Sequence, residues 1–335
     1  MRCRICDNTE NNRSITLYEM MYGTREAFDY FTCGACACLQ IAEVPADLSR
    51  FYPQDYYSYT PAGNDARTPG YFSRKKFEAI FFGTSFVGKL LDRLKPEAYS
   101  QFRCFRHIPM TRRSAVLDVG CGSGRDLVKM REHGFTNLTG IDPYIPASLD
   151  YGQGLVIHRM PLGDLDGTWD IIKFNHVFEH IPDPLNALRH VRRLLSPAGT
   201  CIIRVPVVPC RAFDEYGIFW MQLDAPRHLY LYSAAAMTLL ARKAGLRVDA
   251  GRTYCDSVSD QFWGSELYRR GIPLVSAAGK LRTYFSRAEL RRFKMRAQQL
   301  NREQAGDQAV FYLTHDTDAP PADETTNRVR RHHDH

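Results

Sequence analysis

No uninterrupted apolar run in these 335 residues reaches the length of a membrane-spanning helix. The first residues, Met1-Arg2-Cys3-Arg4, lack the apolar core of a secretory signal, so a cytoplasmic protein is expected. Neither sign of charge dominates. The formal net charge of +7 suits an anionic substrate such as a sugar phosphate and does not by itself indicate nucleic acid. There is no internal repeat, so a repeat architecture is not expected. What remains is an ordinary globular composition, 44% hydrophobic and 24% charged, in a chain long enough for a full core and more than one domain.

Cysteine is present and unevenly placed. Of ten cysteines, Cys3, Cys6, Cys33, Cys36 and Cys38 fall in the first 41 residues. Cys3/Cys6 and Cys33/Cys36 are two C-x-x-C knuckles separated by strand-like sequence, a pattern that suits a tetrahedral thiolate zinc site. A cytoplasmic location argues against disulfides. Residues 1–43 are therefore expected to form a small zinc-ribbon-like module with a structural zinc, with Cys38 as a spare or alternative ligand. Unmetallated, partly buried cysteines are the competing reading.

Residues 44–113 are expected to link this module to the next. The tyrosine-rich stretch at 51–59, with Pro45, Pro53, Pro61 and Pro69 around it, forbids a long helix and can either roof a pocket or anchor a surface linker. Residues 72–94 have helical periodicity, with Phe77, Ile80, Phe81, Val87, Leu90, Leu91 and Leu94 at three- and four-residue steps. Arg74, Lys75 and Lys76 precede that face and permit a membrane-surface reading; capping of the next domain's core is the favoured one.

The rest of the chain is organised around A-V-L-D-V-G-C-G-S-G-R-D at 115–126. An apolar run ends in Asp118, then breaks into Gly120, Gly122 and Gly124 before a helical pattern begins. This is a strand, a tight turn and a helix start, with glycines that let a ligand approach bare backbone. A dinucleotide fingerprint would need its third glycine where Arg125 stands. Further strands are expected at 137–141, 155–158, 170–174, 200–205 and 309–314, with helices between most of them. Asp142 follows the second strand, where a carboxylate can accept both hydroxyls of a ribose. This alternation predicts a doubly wound, mostly parallel, Rossmann-like α/β sheet of seven strands over residues 114–315, with its ligand at the carboxyl ends. An insertion is expected at about 255–305, and residues 316–335 read as a disordered tail.

The D-x-G-x-G-x-G loop, the acidic residue after strand two, F-N-H-V-F-E-H-I-P-D-P and V-R-R-L-L-S-P-A-G-T together resemble class I S-adenosylmethionine (SAM) dependent methyltransferases, over roughly residues 114–208. Ala198 departs from the family, where a second glycine is usual. The resemblance implies SAM as cofactor, held by Asp118, Gly120, Gly122, Gly124, Asp142, Asp164 and Asn175, with Asp164 near the adenine. Candidate bases beyond strands four and five are His176, Glu179, His180 and His228. The E-H pair resembles residues that help hold a divalent metal in the quinone-forming O-methyltransferase branch. That branch has another carboxylate before the pair, where this chain has Asn175 and His176, which argues against a catalytic metal. Arg227 is a candidate phosphate or carboxylate clamp, and Trp263 and Tyr268 are candidate stacking residues.

The cysteine-rich N-terminus, the tyrosine-rich linker and the S-D-Q-F-W-G-S-E-L-Y-R-R-G-I-P-L and G-D-Q-A-V-F-Y-L segments look like bacterial methyltransferases of surface-polysaccharide pathways. A sugar, nucleotide-sugar or glycan precursor is the implied acceptor. An rRNA or tRNA methyltransferase that binds RNA through its zinc module is the alternative, permitted by a basic helix at 286–304. Against it, an N-P-P-Y motif and a P-C dipeptide in the strand-five loop are lacking, although Pro209-Cys210 follows shortly. A non-catalytic SAM-binding scaffold is the third reading.

Overall fold

The computed structural model describes residues 1–53, 68–94 and 99–317. The tyrosines Tyr56, Tyr57 and Tyr59 of the linker, and the tail from residue 318, lie outside the described residues.

Strands β1 (Arg13–Tyr18), β2 (Ala27–Thr32) and β3 (Leu39–Ile41) form an antiparallel meander. The N-terminal sheet is not closed on itself. Its fourth strand comes from Tyr230–Leu231, nearly two hundred residues later, with Tyr230 opposite Gln40 and Leu231 opposite Leu39. The N-terminal segment is thus built into the larger domain through a shared ladder and a shared core.

The single helix expected over 72–94 is two, α1 (Tyr71–Phe82) and α2 (Phe86–Leu94), because Gly83 takes a left-handed conformation that ends the first. α1 buries Phe77, Ile80 and Phe81 in one cluster with Phe102, Phe105 and Phe135.

The main sheet follows. Its elements are β4 (Val116–Val119), α3 (Arg125–Glu132), β5 (Leu138–Ile141), β6 (Leu149–Asp150), β7 (Val156–His158), β8 (Trp169–Asn175), α4 (Pro184–Leu194), β9 (Leu195–Pro206), α5 (Arg211–Tyr216), β10 (Tyr230–Leu231, in the N-terminal sheet), α6 (Ala234–Lys243), β11 (Leu246–Val248), β12 (Tyr254–Asp256), α7 (Ser259–Arg269), α8 (Leu274–Ala277), α9 (Leu281–Tyr284), α10 (Arg287–Arg302) and β13 (Gln308–His315). The order is β11-β13-β9-β8-β4-β5-β7-β6, with β12 also on β13. Strands β7, β5, β4, β8 and β9 are parallel, and β13 runs antiparallel between β9 and β11.

Among the described residues the sheet has nine strands rather than the expected seven. The two extra ones, β6 and β12, are short antiparallel additions to β7 and β13. β9 also starts earlier than expected, at Leu195, so that L-S-P-A-G belongs to the strand rather than to the end of the preceding helix. The chain order reverses at β4, which lies between β5 and β8. A crevice at the carboxyl ends of β4, β5 and β8 is where such sheets bind ligands.

Candidate active site

At the end of β4 the backbone turns through Gly120, Gly122 and Gly124, all at positive φ. At Gly120 a side chain is excluded twice over: φ is 67°, and an added Cβ would stand 2.5 Å from the Val177 side chain. The turn is tied down from both sides. The Gly120 amide donates to the Ile141 carbonyl at 2.8 Å, and the Gly122 amide donates to Asp142 Oδ2 at 2.9 Å.

Asp142 is buried, and its other oxygen accepts from the Tyr144 amide at 2.9 Å. Burial raises its carboxyl above the usual range, against these backbone donors. Its orientation is fixed by main chain alone, which leaves lone pairs for hydroxyl donors. The buried Ser123 hydroxyl of the same loop has no hydrogen-bond partner among the described residues. A loop of bare backbone beside an oriented carboxylate fits a nucleoside-bearing cofactor. Asn175 is partly exposed at the end of β8, and Asp164 is exposed on the 3-10 turn Leu162–Asp164 after β7.

Asp118, at the same strand end, is engaged internally. Lys173 Nζ lies 2.9 Å from Asp118 and 2.9 Å from Asp126, so one buried ammonium joins the strand end to the first turn of α3. Burial pushes the Asp118 carboxyl up to about 6, against the opposing charge of Lys173. Sequence reasoning missed Lys173. Its signal was a lone cation in the otherwise apolar strand I-I-K-F.

Beyond β8 and β9, the expected acid–base residues are brought together. The Glu179 side chain is fully buried, and neither of its oxygens accepts a well-formed hydrogen bond among the described residues. His176 Nδ1 lies 3.5 Å from Glu179 Oε1, and His228 Nε2 lies 3.8 Å from the same oxygen. Glu179, His180 and His228 bring ligand-capable atoms within 4.8 Å of one another, close enough to exchange protons or share a cation. His228 Nδ1 donates to the Gln222 carbonyl at 2.7 Å, which assigns the lone pair to Nε2, facing Glu179. Burial and the neighbouring His180 depress the His228 pKa to about 4, so its imidazole is neutral at pH 7. Burial alone would raise the Glu179 carboxyl, but the three surrounding imidazoles bring it below the usual range. His180 Nδ1 is turned to the Arg227 carbonyl at 2.9 Å and to the Tyr52 hydroxyl at 3.1 Å.

Of the three expected substrate residues, Arg227 and Tyr268 are buried. Arg227 is no free clamp: its buried guanidinium grips Asp224 through two hydrogen bonds, of 2.9 and 2.6 Å, and pairs with Glu19 at 3.1 Å. Asp224 is held down to about 2 by this partner in spite of its burial. Tyr268 is buried on α7. Trp263 packs against the small core of Leu267, Ala277 and Phe285, with its indole N–H donating to Asp260 at 3.0 Å. Tyr268 is too buried to present a stacking face, whereas Trp263 is only half-buried.

The four knuckle cysteines also converge. Cys3 and Cys36 Sγ are 3.6 Å apart, and Cys6 and Cys33 Sγ are 3.4 Å apart. Thiolates at 2.3 Å from one tetrahedral zinc would be roughly 3.8 Å from each other. Gln40 Nε2 donates to Cys3 Sγ at 3.1 Å, and the Ala35 and Cys36 amides point to Cys33 Sγ at 3.4 and 3.5 Å, donors that suit thiolate acceptors. Cys38 is outside this set, its thiol turned to the Leu39 carbonyl, which corrects its place as a spare ligand.

Residues 85–250 match a family model described as "Methyltransferase domain", beginning ahead of residue 114, where the sequence alone started the domain. A ubiquinone biosynthesis O-methyltransferase of Pseudomonas aeruginosa is 33% identical over 97 residues, which cover 25% of this chain and 40% of that protein. A tRNA U34 carboxymethyltransferase of Pseudoalteromonas translucida is 29% identical over 117 residues, 32% of this chain and 36% of that protein. The matched region thus spans only about two fifths of these relatives' length. Among solved structures, an O-methyltransferase from a trans-AT PKS multienzyme of Brevibacillus brevis, in complex with S-adenosyl-L-homocysteine, is 15% identical over 67% of this chain and 78% of that one, with a TM-score of 0.38. Residues 85–250, about half of the chain, are thus similar to a methyltransferase domain.

Proposed function

We propose that this protein transfers a methyl group from SAM to a hydroxyl or comparable acceptor on a sugar, nucleotide-sugar or glycan precursor. The observation that carries the mechanism is the buried Glu179 carboxylate, ringed by the imidazoles of His176, His180 and His228. SAM supplies an electrophilic methyl carbon for in-line displacement. The Gly120–Gly124 backbone and Asp142 hold the cofactor, Asp142 through the ribose, with Asp164 and Asn175 at the rim. His228, neutral at pH 7, takes the acceptor proton at Nε2. Glu179 stabilises the imidazolium that results, and His176, the more exposed imidazole, faces the acceptor side. Asp118 acts at one remove, by fixing the loop through Lys173.

Cys3, Cys6, Cys33 and Cys36 hold a structural zinc in this reading, since four thiolates leave no open position. The resemblance to polysaccharide-pathway enzymes supports the carbohydrate acceptor. A tRNA-modifying relative and the exposed Arg287, Arg291 and Arg292 on α10 support RNA as the second reading.

Methyl-labelled SAM, offered with pooled nucleotide sugars and pooled cellular RNA side by side, tests the choice. Label confined to the sugar pool is the expected result. Label in RNA would overturn the acceptor assignment, and tight SAM binding without turnover in either pool would favour a scaffold.

A further inference from the structure

Helix α2 is inside out. The residues it turns towards the protein are Gly88 and Asp92, while Phe86, Val87, Leu90 and Leu94 stand in solvent, Phe86 with 83% and Leu94 with 70% of its surface exposed. The arrangement is built rather than loose. Gly88 lies so close to α1 that an added Cβ would be 1.9 Å from the Lys75 carbonyl oxygen, so only glycine allows this crossing. Asp92 is held by Arg103 at 2.9 Å, Arg106 at 2.8 Å and Lys76 at 3.6 Å. The polar side of the helix therefore fixes which way its apolar side faces. Phe86, Leu90 and Leu94 recur every four residues and form one outward stripe, with Val87 beside it. Tyr71 and Phe72, at the start of α1, are exposed as well, so six of the eleven large exposed hydrophobics among the described residues lie between residues 71 and 94.

The charges around this stripe are of one sign. Lys89 and Arg93 are exposed along one edge of α2, and Arg74 is exposed on α1. The two acids of the hairpin are both occupied, Asp92 as above and Glu78 by Lys75 at 2.9 Å. Outward apolar residues rimmed by uncompensated cations are the composition of a helix that lies in the headgroup layer of an anionic bilayer.

We propose that the α1–α2 hairpin docks this protein on an anionic membrane surface, with the Phe86–Leu90–Leu94 stripe in the headgroup–acyl boundary and Lys89, Arg93 and Arg74 against lipid phosphates. The docking is independent of the acceptor assignment, because it is read without SAM or substrate.

Sedimentation of the full chain with vesicles tests it. Vesicles of phosphatidylglycerol with phosphatidylethanolamine should carry the protein down, and pure phosphatidylcholine vesicles should not. A Phe86→Ser/Leu90→Glu variant should bind about tenfold more weakly, from the lost apolar contact and the added like charge. Lys89→Glu, which leaves the stripe untouched, should also weaken binding and make what remains less sensitive to salt, and it keeps the test readable if the double variant misfolds. Absence of binding to anionic vesicles, equal binding to neutral ones, or retention by both variants would overturn the proposal. So would a homodimer, detected by light scattering, that Leu90→Glu abolishes while vesicle binding is absent, since the stripe would then belong to a second copy.

Discussion

The Tyr30 hydroxyl donates to the main-chain carbonyl of His228 at 2.9 Å, buried, across 198 residues of sequence. Two residues further on, β10 pairs with β3, and the Leu229 carbonyl accepts from the Ile41 amide at 3.0 Å. The cysteine-bearing segment thus holds the main chain that presents the proposed base. Tyr30→Phe should leave that carbonyl unpaired, at a cost of roughly 1–3 kcal/mol. The expected outcome is a several-fold fall in kcat with unchanged affinity for S-adenosylhomocysteine. A fall in thermal stability without any change in kcat would make the contact merely structural.

The same linkage bears on the metal. A Cys3→Ser/Cys6→Ser variant should lose about one zinc per chain by elemental analysis, since zinc binding and folding of such small modules are coupled. Turnover should fall with it, because β3 would no longer fix β10. Wild-type protein purified without zinc, yet fully stable, would contradict the assignment.

Acid–base behaviour follows from His228. Its folded-state pKa of about 4 lies below the ordinary 6.5, so between these values the unfolded chain binds more protons than the folded one. The stability contributed by this residue is present above pH 6.5 and lost as pH falls towards 4. His228→Asn should flatten the slope of melting temperature against pH in that window. It should also lower kcat by about 10²–10⁴-fold, the usual worth of a positioned base. Glu179→Gln should lower kcat while leaving cofactor affinity intact; unchanged kcat in both variants would remove the cluster from the chemistry.

Lys173 gives a sharper stability test. Lys173→Met leaves Asp118 and Asp126 facing each other without their shared cation, which should destabilise the fold by about 3–5 kcal/mol. Adding Asp118→Asn should recover part of the loss. Denaturant unfolding of the three proteins measures it, and additive rather than compensating losses would show that the three groups are not coupled.

The parallel core was legible because its strands are continuous apolar runs punctuated by Gly120, Asp142 and Asn175, and periodicity reports such runs directly. The tight turn after β4 was legible from the spacing of Gly120, Gly122 and Gly124. Burial and pairing were not. Arg227 looked like a clamp because its partners, Glu19 and Asp224, come from a distant strand end and from a turn whose geometry no local pattern reveals. Tyr268 looked like a stacking surface because helical spacing alone does not tell which face of α7 is buried, here near Asp224, Arg227 and Glu19. The pairing of Leu39 with Leu231 was beyond reach, since a two-residue strand leaves no periodic trace.

The most direct measurement is calorimetric titration of S-adenosylhomocysteine into the wild-type protein and into Asp142→Asn. Asp142 sits beside the Gly120–Gly124 turn, with its carboxylate already oriented by the Gly122 and Tyr144 amides. One-site binding by the wild type, weakened at least about tenfold in the variant, is expected from loss of a charged hydrogen-bond acceptor for the ribose. Equal affinity in the two proteins, or no binding by the wild type, would contradict the cofactor site on which the account rests.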